Sequence, residues 1–126
     1  MKVTAVKTHK ITSEDTHLLK LLDRYLPRLK ERSVVAISSK IVAICEGRAV
    51  PADKLTKDSL VEKEADYFLP KRSNKYGFHI TIKNGTIIAS AGIDESNGNG
   101  SYVLWPRNSQ KTANAVRSHL ARIHNL

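Results

Sequence analysis

Apolar residues recur at helical spacing near the start of the chain. The positions follow the i, i+3, i+4, i+7 pattern of one helix face: Leu18, Leu21, Leu22, Tyr25, Leu26 and Leu29. Because Pro27 has no backbone N–H donor, the helix is predicted to kink or end near Leu26, with Thr12 or Ser13 as its N-cap. Weaker stripes predict a second long helix over residues 53–69 and a last helix from Ser109 onward.

Five other segments have the composition of strands. Residues 2–7 alternate weakly, 33–37 form a β-branched run typical of a buried strand, and 102–105 end at a proline. Residues 78–82 alternate cleanly and place Phe78, Ile80 and Ile82 on one predicted face. Asn84-Gly85 then predicts a tight turn into a returning strand over residues 86–89.

The segment between residues 38 and 47 admits two interpretations. It reads either as a second strand or as a short helix that ends at Gly47, and the abrupt polar break favours a strand–turn–helix arrangement. The pattern as a whole predicts one α/β (or α+β) domain over residues 1–126. We expect a mixed sheet, a central β-hairpin near 77–89 and three or four helices.

Composition excludes several classes of protein. The 126 residues are 40% hydrophobic and 26% charged, which is ordinary for a folded domain and excludes disorder throughout. No apolar run approaches the roughly 20 residues of a bilayer helix, and the first residues do not resemble a secretion signal. With one cysteine, Cys45, no internal disulfide can form, so we expect a cytoplasmic protein and a small buried thiol.

The charge is strongly basic and unevenly distributed. The formal net charge is +9, which attracts nucleic acid or phosphate-bearing small molecules. Residues 67–126 contain eight Lys and Arg but only two acids, the neighbours Asp94 and Glu95. A basic loop at 71–75 and a basic last helix are candidate phosphate contacts, although no recognised nucleic-acid motif is present.

Two segments have residues suited to phosphate or metal chemistry. The loop over residues 91–98 places Asp94, a second carboxylate, a hydroxyl and Asn97 within four positions, and glycines flank it. Such oxygen ligands suit Mg²⁺ or Mn²⁺, but the same residues also make ordinary surface turns. Ser38-Ser39-Lys40 follows a predicted strand, where hydroxyls and an ammonium suit phosphate oxygens; a simple helix cap with a solvated lysine is the alternative. The five histidines do not cluster, and His79 is predicted to lie at the surface.

These segments together resemble a known family. The run from residue 35 to 42, the Glu-Gly-Arg at 46–48 and above all Ala-Gly-Ile-Asp-Glu-Ser-Asn at 91–97 resemble the coenzyme F-420:L-glutamate (γ-glutamyl) ligases. Leu104-Trp105-Pro106 occupies the place of that family's Leu-Leu-Pro segment. The order and spacing agree along most of the chain, which resembles the N-terminal half of such a ligase.

The resemblance implies an activity and roles for residues. Such ligases add glutamate to a deazaflavin coenzyme through an acyl phosphate, using GTP and divalent metal (Mg²⁺ or Mn²⁺). Carried over, Asp94 is a metal ligand, while nucleotide contacts fall to Ser38, Ser39, Lys40 and Asn97. A homodimer is implied as well, and the strands at 78–82 and 102–105 are its expected edges.

The chain also departs from the family pattern. The family's Ser-Asp-Thr-x-Gly-Arg-Pro motif, which supplies further metal ligands, does not occur here. We therefore expect a domain that is truncated or minimal relative to the family and incomplete as a catalyst. The alternatives are a non-catalytic nucleotide- or anion-binding module of the same fold and a basic nucleic-acid-associated domain.

Overall fold

The computed structural model describes residues 2–95 and 100–126. Its helices and strands are α1 (Leu18–Tyr25), α2 (Ser39–Cys45), β1 (Ala49–Pro51), α3 (Lys57–Glu64), β2 (Tyr67–Leu69), β3 (Ile80–Lys83), β4 (Thr86–Ala89), β5 (Ser101–Val103) and α4 (Ser109–His124). This mixture confirms the predicted α/β class and a single domain. Within the described ranges, no helix is both long and apolar enough to cross a bilayer.

The strands form two small antiparallel sheets in place of the single mixed sheet that we expected. One sheet pairs β1 with β5, and the other has the order β2-β3-β4. The predicted hairpin is confirmed as β3–β4, with Lys83 paired to Thr86. Asn84 and Gly85 between them have φ values of 50° and 71°, which the tight hairpin turn requires.

Two predicted strands do not form. Residues 2–7 and 33–37 have the side chains of strands but pair with no strand among the described residues. Strand propensity needs a neighbour that completes the hydrogen-bond ladder, and neither segment has one here. The segment 38–47 does become a helix, α2, as favoured by the polar break and Gly47.

The helices keep their predicted centres but differ at their ends. Helix α1 ends before Pro27 as expected, yet it begins at Leu18, since Thr12 and Asp15 bond to each other in a preceding turn. The predicted helix at 53–69 is shorter: α3 starts after Thr56, whose side chain accepts from the Ser59 N–H, and β2 follows it.

The core is divided into two clusters. The first lies between α3, the loop before Asp94 and the segment after β5: Leu60, Val61, Ala91, Ile93 and Leu104. The second joins α1 to α4 through Leu22, Val116 and Leu120. Cys45 of α2 is buried as predicted, and burial raises the pKa of its thiol. A thiol in this state is a packing residue rather than a nucleophile.

Alternation predicts that the face of β3 with Ile80 and Ile82 packs on the core. In the structure the other face of the three-stranded sheet does so. Thr81 and His79 are buried, whereas Ile82 is exposed, so the surface position predicted for His79 is wrong. His79 packs edge-on against Phe68, with Nε2 3.5 Å from Asp58 Oδ1. The apolar alternation identified the strand correctly but not its covered face, because the apolar residues beside Thr81 on that face, Phe68 and Ile88, come from the neighbouring strands.

Candidate functional site

The loop that leads to Asp94 is fixed by the hairpin beneath it. The hydroxyl of Thr81 donates to the Ile88 carbonyl and accepts from the Ala91 N–H at 2.8 Å. Ser90 donates its backbone N–H to the His79 carbonyl at 2.9 Å. Since Thr81 and Ala91 are both buried, these bonds fix the direction in which the chain leaves β4.

A tight turn then brings the chain beneath the single tryptophan. Ser90, Ala91 and Gly92 all have positive φ values, of 50°, 52° and 71°. A Cβ built on Gly92 would lie 2.3 Å from Cε3 of Trp105, closer than any real contact. Only glycine fits between this turn and the indole ring, which explains the residue type at position 92.

Asp94 itself lies on a rigid backbone. Its N–H donates to the Val103 carbonyl at 2.9 Å, and its carbonyl accepts from the Val103 N–H at 2.8 Å. Val103 also pairs with Ala49 of β1, so the aspartate is attached to the edge of a sheet. Its side chain remains half-exposed.

The structure brings Asp94 together with Lys40. Lys40 Nζ lies 2.6 Å from Asp94 Oδ2, across the space between α2 and the loop. The two residues are 54 positions apart in sequence. Ser38 and Ser39 lie immediately before Lys40, both exposed, at the start of α2. Four of the five predicted site residues therefore belong to one region, and the fifth, Asn97, lies outside the described residues.

A second ion pair of the same kind lies next to the first. Glu95 Oε1 is 3.4 Å from Lys57 Nζ at the start of α3. Each of the two carboxylates in residues 67–126 therefore forms an ion pair with a lysine in the first turn of a helix. This arrangement supplies carboxylate oxygens for a cation and ammonium groups for phosphate oxygens within one small region.

The described residues supply only a partial ligand set for a metal ion. Among the described residues, no group of three or more His, Cys, Asp and Glu side chains is close enough to hold a metal. A closed protein cage is therefore absent from that part of the chain. A single carboxylate such as Asp94 can instead serve Mg²⁺ or Mn²⁺, which usually bind through one or two carboxylates, water and substrate phosphates.

A buried ion-pair network supports the region from below. Glu64 Oε2 accepts from Arg48 Nη2 at 2.5 Å and from Lys83 Nζ at 2.8 Å, and all three side chains are largely buried. Burial alone would raise the pKa of Glu64. The hydrogen bond from Lys83 and the charges of both cations outweigh that effect and hold the pKa below its usual range.

The Glu-Gly-Arg segment at residues 46–48 links several parts of the fold, a role that the sequence analysis did not predict. Arg48 also donates from Nε to the Trp105 carbonyl at 2.7 Å, which positions the ring over the turn. Glu46 accepts from the Arg107 N–H at 2.8 Å and from the Thr112 hydroxyl at 3.2 Å, and so joins α2 to the start of α4. The sequence signal for this role was the pair of charged residues on either side of Gly47, the glycine that follows α2.

The basic surfaces show no comparable convergence. In the loop at 71–75, Lys71 Nζ pairs with Asp58 Oδ1 at 2.7 Å. On α4, His119 Nε2 contacts Asp23 Oδ1 of α1 at 2.6 Å. These contacts join elements of the fold to one another, and the predicted phosphate contacts of both surfaces stay predictions.

The chain also matches a known protein family. The segments that converge here, the junction before Lys40 and the loop that carries Asp94, are those whose residues resemble the γ-glutamyl ligases. A family model described as F420-0:Gamma-glutamyl ligase matches residues 5–126. The match covers nearly the whole sequence, and the chain belongs to the F420-0:γ-glutamyl ligase family.

Proposed function

We propose that the chain acts in γ-glutamyl ligation by holding GTP and a divalent ion, Mg²⁺ or Mn²⁺, at Lys40 and Asp94. The observation that carries this proposal is the 2.6 Å contact between Lys40 Nζ and Asp94 Oδ2. It joins a phosphate-binding group to a metal-binding group on two rigid elements. Membership of the ligase family supplies the reaction class.

Each side chain then has a distinct task. The ammonium of Lys40 leaves the carboxylate and binds phosphate oxygens of the nucleotide, while Asp94 binds the cation. Ser38 and Ser39 are exposed and directly precede Lys40, and in this proposal their hydroxyls donate to further phosphate oxygens. We include Asn97 as a nucleotide contact, because it belongs to the same family-like segment as Asp94.

The reaction proposed by resemblance proceeds in two transfers. A carboxylate of the deazaflavin coenzyme attacks the terminal phosphorus of GTP, and the bond to GDP breaks, which gives an acyl phosphate. The amine of glutamate then attacks the acyl carbon, a proton is lost and inorganic phosphate leaves, which gives the amide. A divalent ion, when bound, neutralises phosphate charge during this chemistry. Lys40 contributes a second positive charge from the protein itself.

The reaction also requires catalytic groups besides these. The described residues supply one carboxylate on the metal side, Asp94, with Glu95 as its neighbour. We propose that the chain is incomplete as a catalyst by itself, as the family motif missing from its sequence indicates. Nucleotide binding, rather than turnover, is therefore the property to test first.

We further propose that the chain forms a homodimer through its three-stranded sheet. The strands predicted as dimer edges are not free, because β3 lies between β2 and β4, and Val103 of β5 pairs on both sides. The exposed face of the sheet is the better candidate. Tyr67, Ile82 and Ile87 stand in register across three strands, and Tyr67 and Ile87 are 73% and 77% exposed. A contiguous apolar row of this kind marks an interaction surface.

Sedimentation analysis tests the dimer. Ile87→Asp should convert it to a monomer, because it places a charge in the centre of the apolar row. Thr86→Asp is the matched control on the same strand, one residue away and directed to the other face. A wild-type chain that sediments as a monomer at all concentrations would exclude this dimer.

Calorimetric titration of GTP with and without Mn²⁺ tests the nucleotide proposal. The salt concentration should be about 0.15 M, which screens attraction between exposed charges. We expect binding that needs Mn²⁺ and that favours GTP over ATP. Equal binding of both nucleotides without metal would instead favour an anion-binding module, and no binding would refute the proposed nucleotide site.

A further inference from the structure

An apolar groove runs beside the start of α2. Its volume is about 830 Å³, and it lies between the segment 29–37 and helix α4. Val35, Ile37, Val116 and Leu120 form much of its apolar lining. These side chains belong to the second core cluster or pack against it, so the floor of the groove is the surface of that core.

One wall of the groove is a strand-like segment without a strand partner. Along residues 34–37, burial alternates between exposed and half-buried, which is the period of an extended chain. Val34 is 93% exposed while Val35 contacts the core cluster. These four residues make no backbone hydrogen bond with any other described residue, so their donors and acceptors are not used in a ladder. The segment is positioned to accept an added strand.

The position of this wall is fixed at both ends. The Leu29 N–H donates to Nδ1 of His124 on α4 at 3.3 Å, and Ser33 donates its N–H to the Lys30 carbonyl at 3.1 Å. At the other end the segment runs directly into α2. An incoming chain therefore meets a largely preformed groove, which lowers the entropy cost of binding.

The charge at the groove selects among occupants. Its charged lining residues are Lys30, Arg32 and Arg117 against one acid, Glu31. A basic occupant, such as a segment from residues 67–126 of a second copy, would meet cationic repulsion there. An extended segment that bears carboxylates would instead gain contacts with Arg32 and Arg117.

We propose that this groove binds an extended, acidic and apolar segment of another polypeptide, which pairs with residues 34–37 as an added strand. Alternate apolar side chains of that segment fill the groove, and its carboxylates meet the arginines at the rim. Ser39 also lines the groove and directly precedes Lys40, so the bound segment borders the candidate nucleotide site. The proposal stands on the groove itself and does not depend on nucleotide binding.

A short synthetic peptide of alternating valine and glutamate is the probe. Its binding to the full chain is measured by fluorescence anisotropy, and the matched control peptide has lysine in place of glutamate. We expect the acidic peptide alone to bind. We also expect NMR shifts and slowed amide exchange at residues 34–37, because strand pairing satisfies their backbone groups.

Two charge-reversed variants on α4 locate the binding. Arg117→Glu, in the groove lining, should weaken peptide binding by about tenfold or more. Lys111→Glu lies on the same helix but lines a different cleft and should leave binding unchanged. The proposal is overturned if neither peptide binds, if both bind equally, or if the two variants behave alike. Dimerisation that Arg117→Glu abolishes would also overturn it, in favour of a second copy as the occupant.

Discussion

The buried carboxylate of Glu64 gives the sharpest test of how the candidate site is supported. Glu64→Gln keeps the size of the side chain but removes the charge that Arg48 and Lys83 share. The side chain of Glu64 is only 16% exposed and each cation is 13% exposed, so water replaces little of the lost interaction. Removing one partner of a buried ion pair costs about 3–5 kcal/mol. Because Gln retains a neutral acceptor, we expect the lower end, about 3 kcal/mol.

The loss should be visible in both chemical and thermal unfolding. At about 4 °C for each kcal/mol, the melting temperature should fall by about 12 °C. Glu62→Gln is the matched control, since it changes an exposed carboxylate on the same helix. That control should alter the free energy of unfolding by less than about 0.5 kcal/mol.

The pH dependence supplies an independent check. The pKa of Glu64 is lower in the folded chain than its ordinary value of 4.5, so its contribution to stability is full above that value. As the pH falls through the lowered pKa, the carboxylate is protonated and the contribution is lost. The difference in stability between wild type and Glu64→Gln should therefore be full at neutral pH and shrink below pH 4.5. A neutral-pH loss as small as that of the control, or a difference that persists in acid, would refute the buried network.

Two further substitutions test the turn that presents Asp94. Thr81→Val removes the hydroxyl that accepts from the buried Ala91 N–H and should destabilise the fold by about 2 kcal/mol in denaturant titration. Thr86→Val on the neighbouring strand is exposed and should change little; equal effects would contradict the buried role. Gly92→Ala places a Cβ 2.3 Å from the indole and forces a positive φ, so we expect a loss of about 3 kcal/mol. Gly77→Ala has a similar φ with nothing within 4 Å and should cost about 1 kcal/mol, so equal losses would show that the indole contact is absent.

Much of the fold could be predicted from local pattern. The stripe of α1, the stop at Pro27 and the Asn84-Gly85 hairpin follow from periodicity and turn chemistry, which act over a few residues. The predicted strands at 2–7 and 33–37 failed because strand formation depends on a partner that no local pattern reveals. These residues do have the side chains typical of strands. Whether a hydrogen-bonded ladder forms, however, depends on the rest of the chain.

The site could be predicted by residue type but not by contact. The sequence singled out Lys40 and Asp94 separately, and only the structure shows that they touch. The network around Glu64 was missed because its members lie on three segments that are distant in sequence. His79 was misplaced because alternation identifies the two faces of a strand without showing which one the core covers.

Titration of GTP into two variants in the presence of Mn²⁺ tests the proposed site most directly. Asp94→Asn removes the carboxylate charge but keeps the shape, and Glu95→Gln makes the same change at the adjacent, more exposed carboxylate. If Asp94 holds the ion and Lys40 the phosphates, Asp94→Asn should abolish the dependence of GTP binding on Mn²⁺ while Glu95→Gln preserves it. Metal-dependent GTP binding that is unchanged in Asp94→Asn would contradict the site.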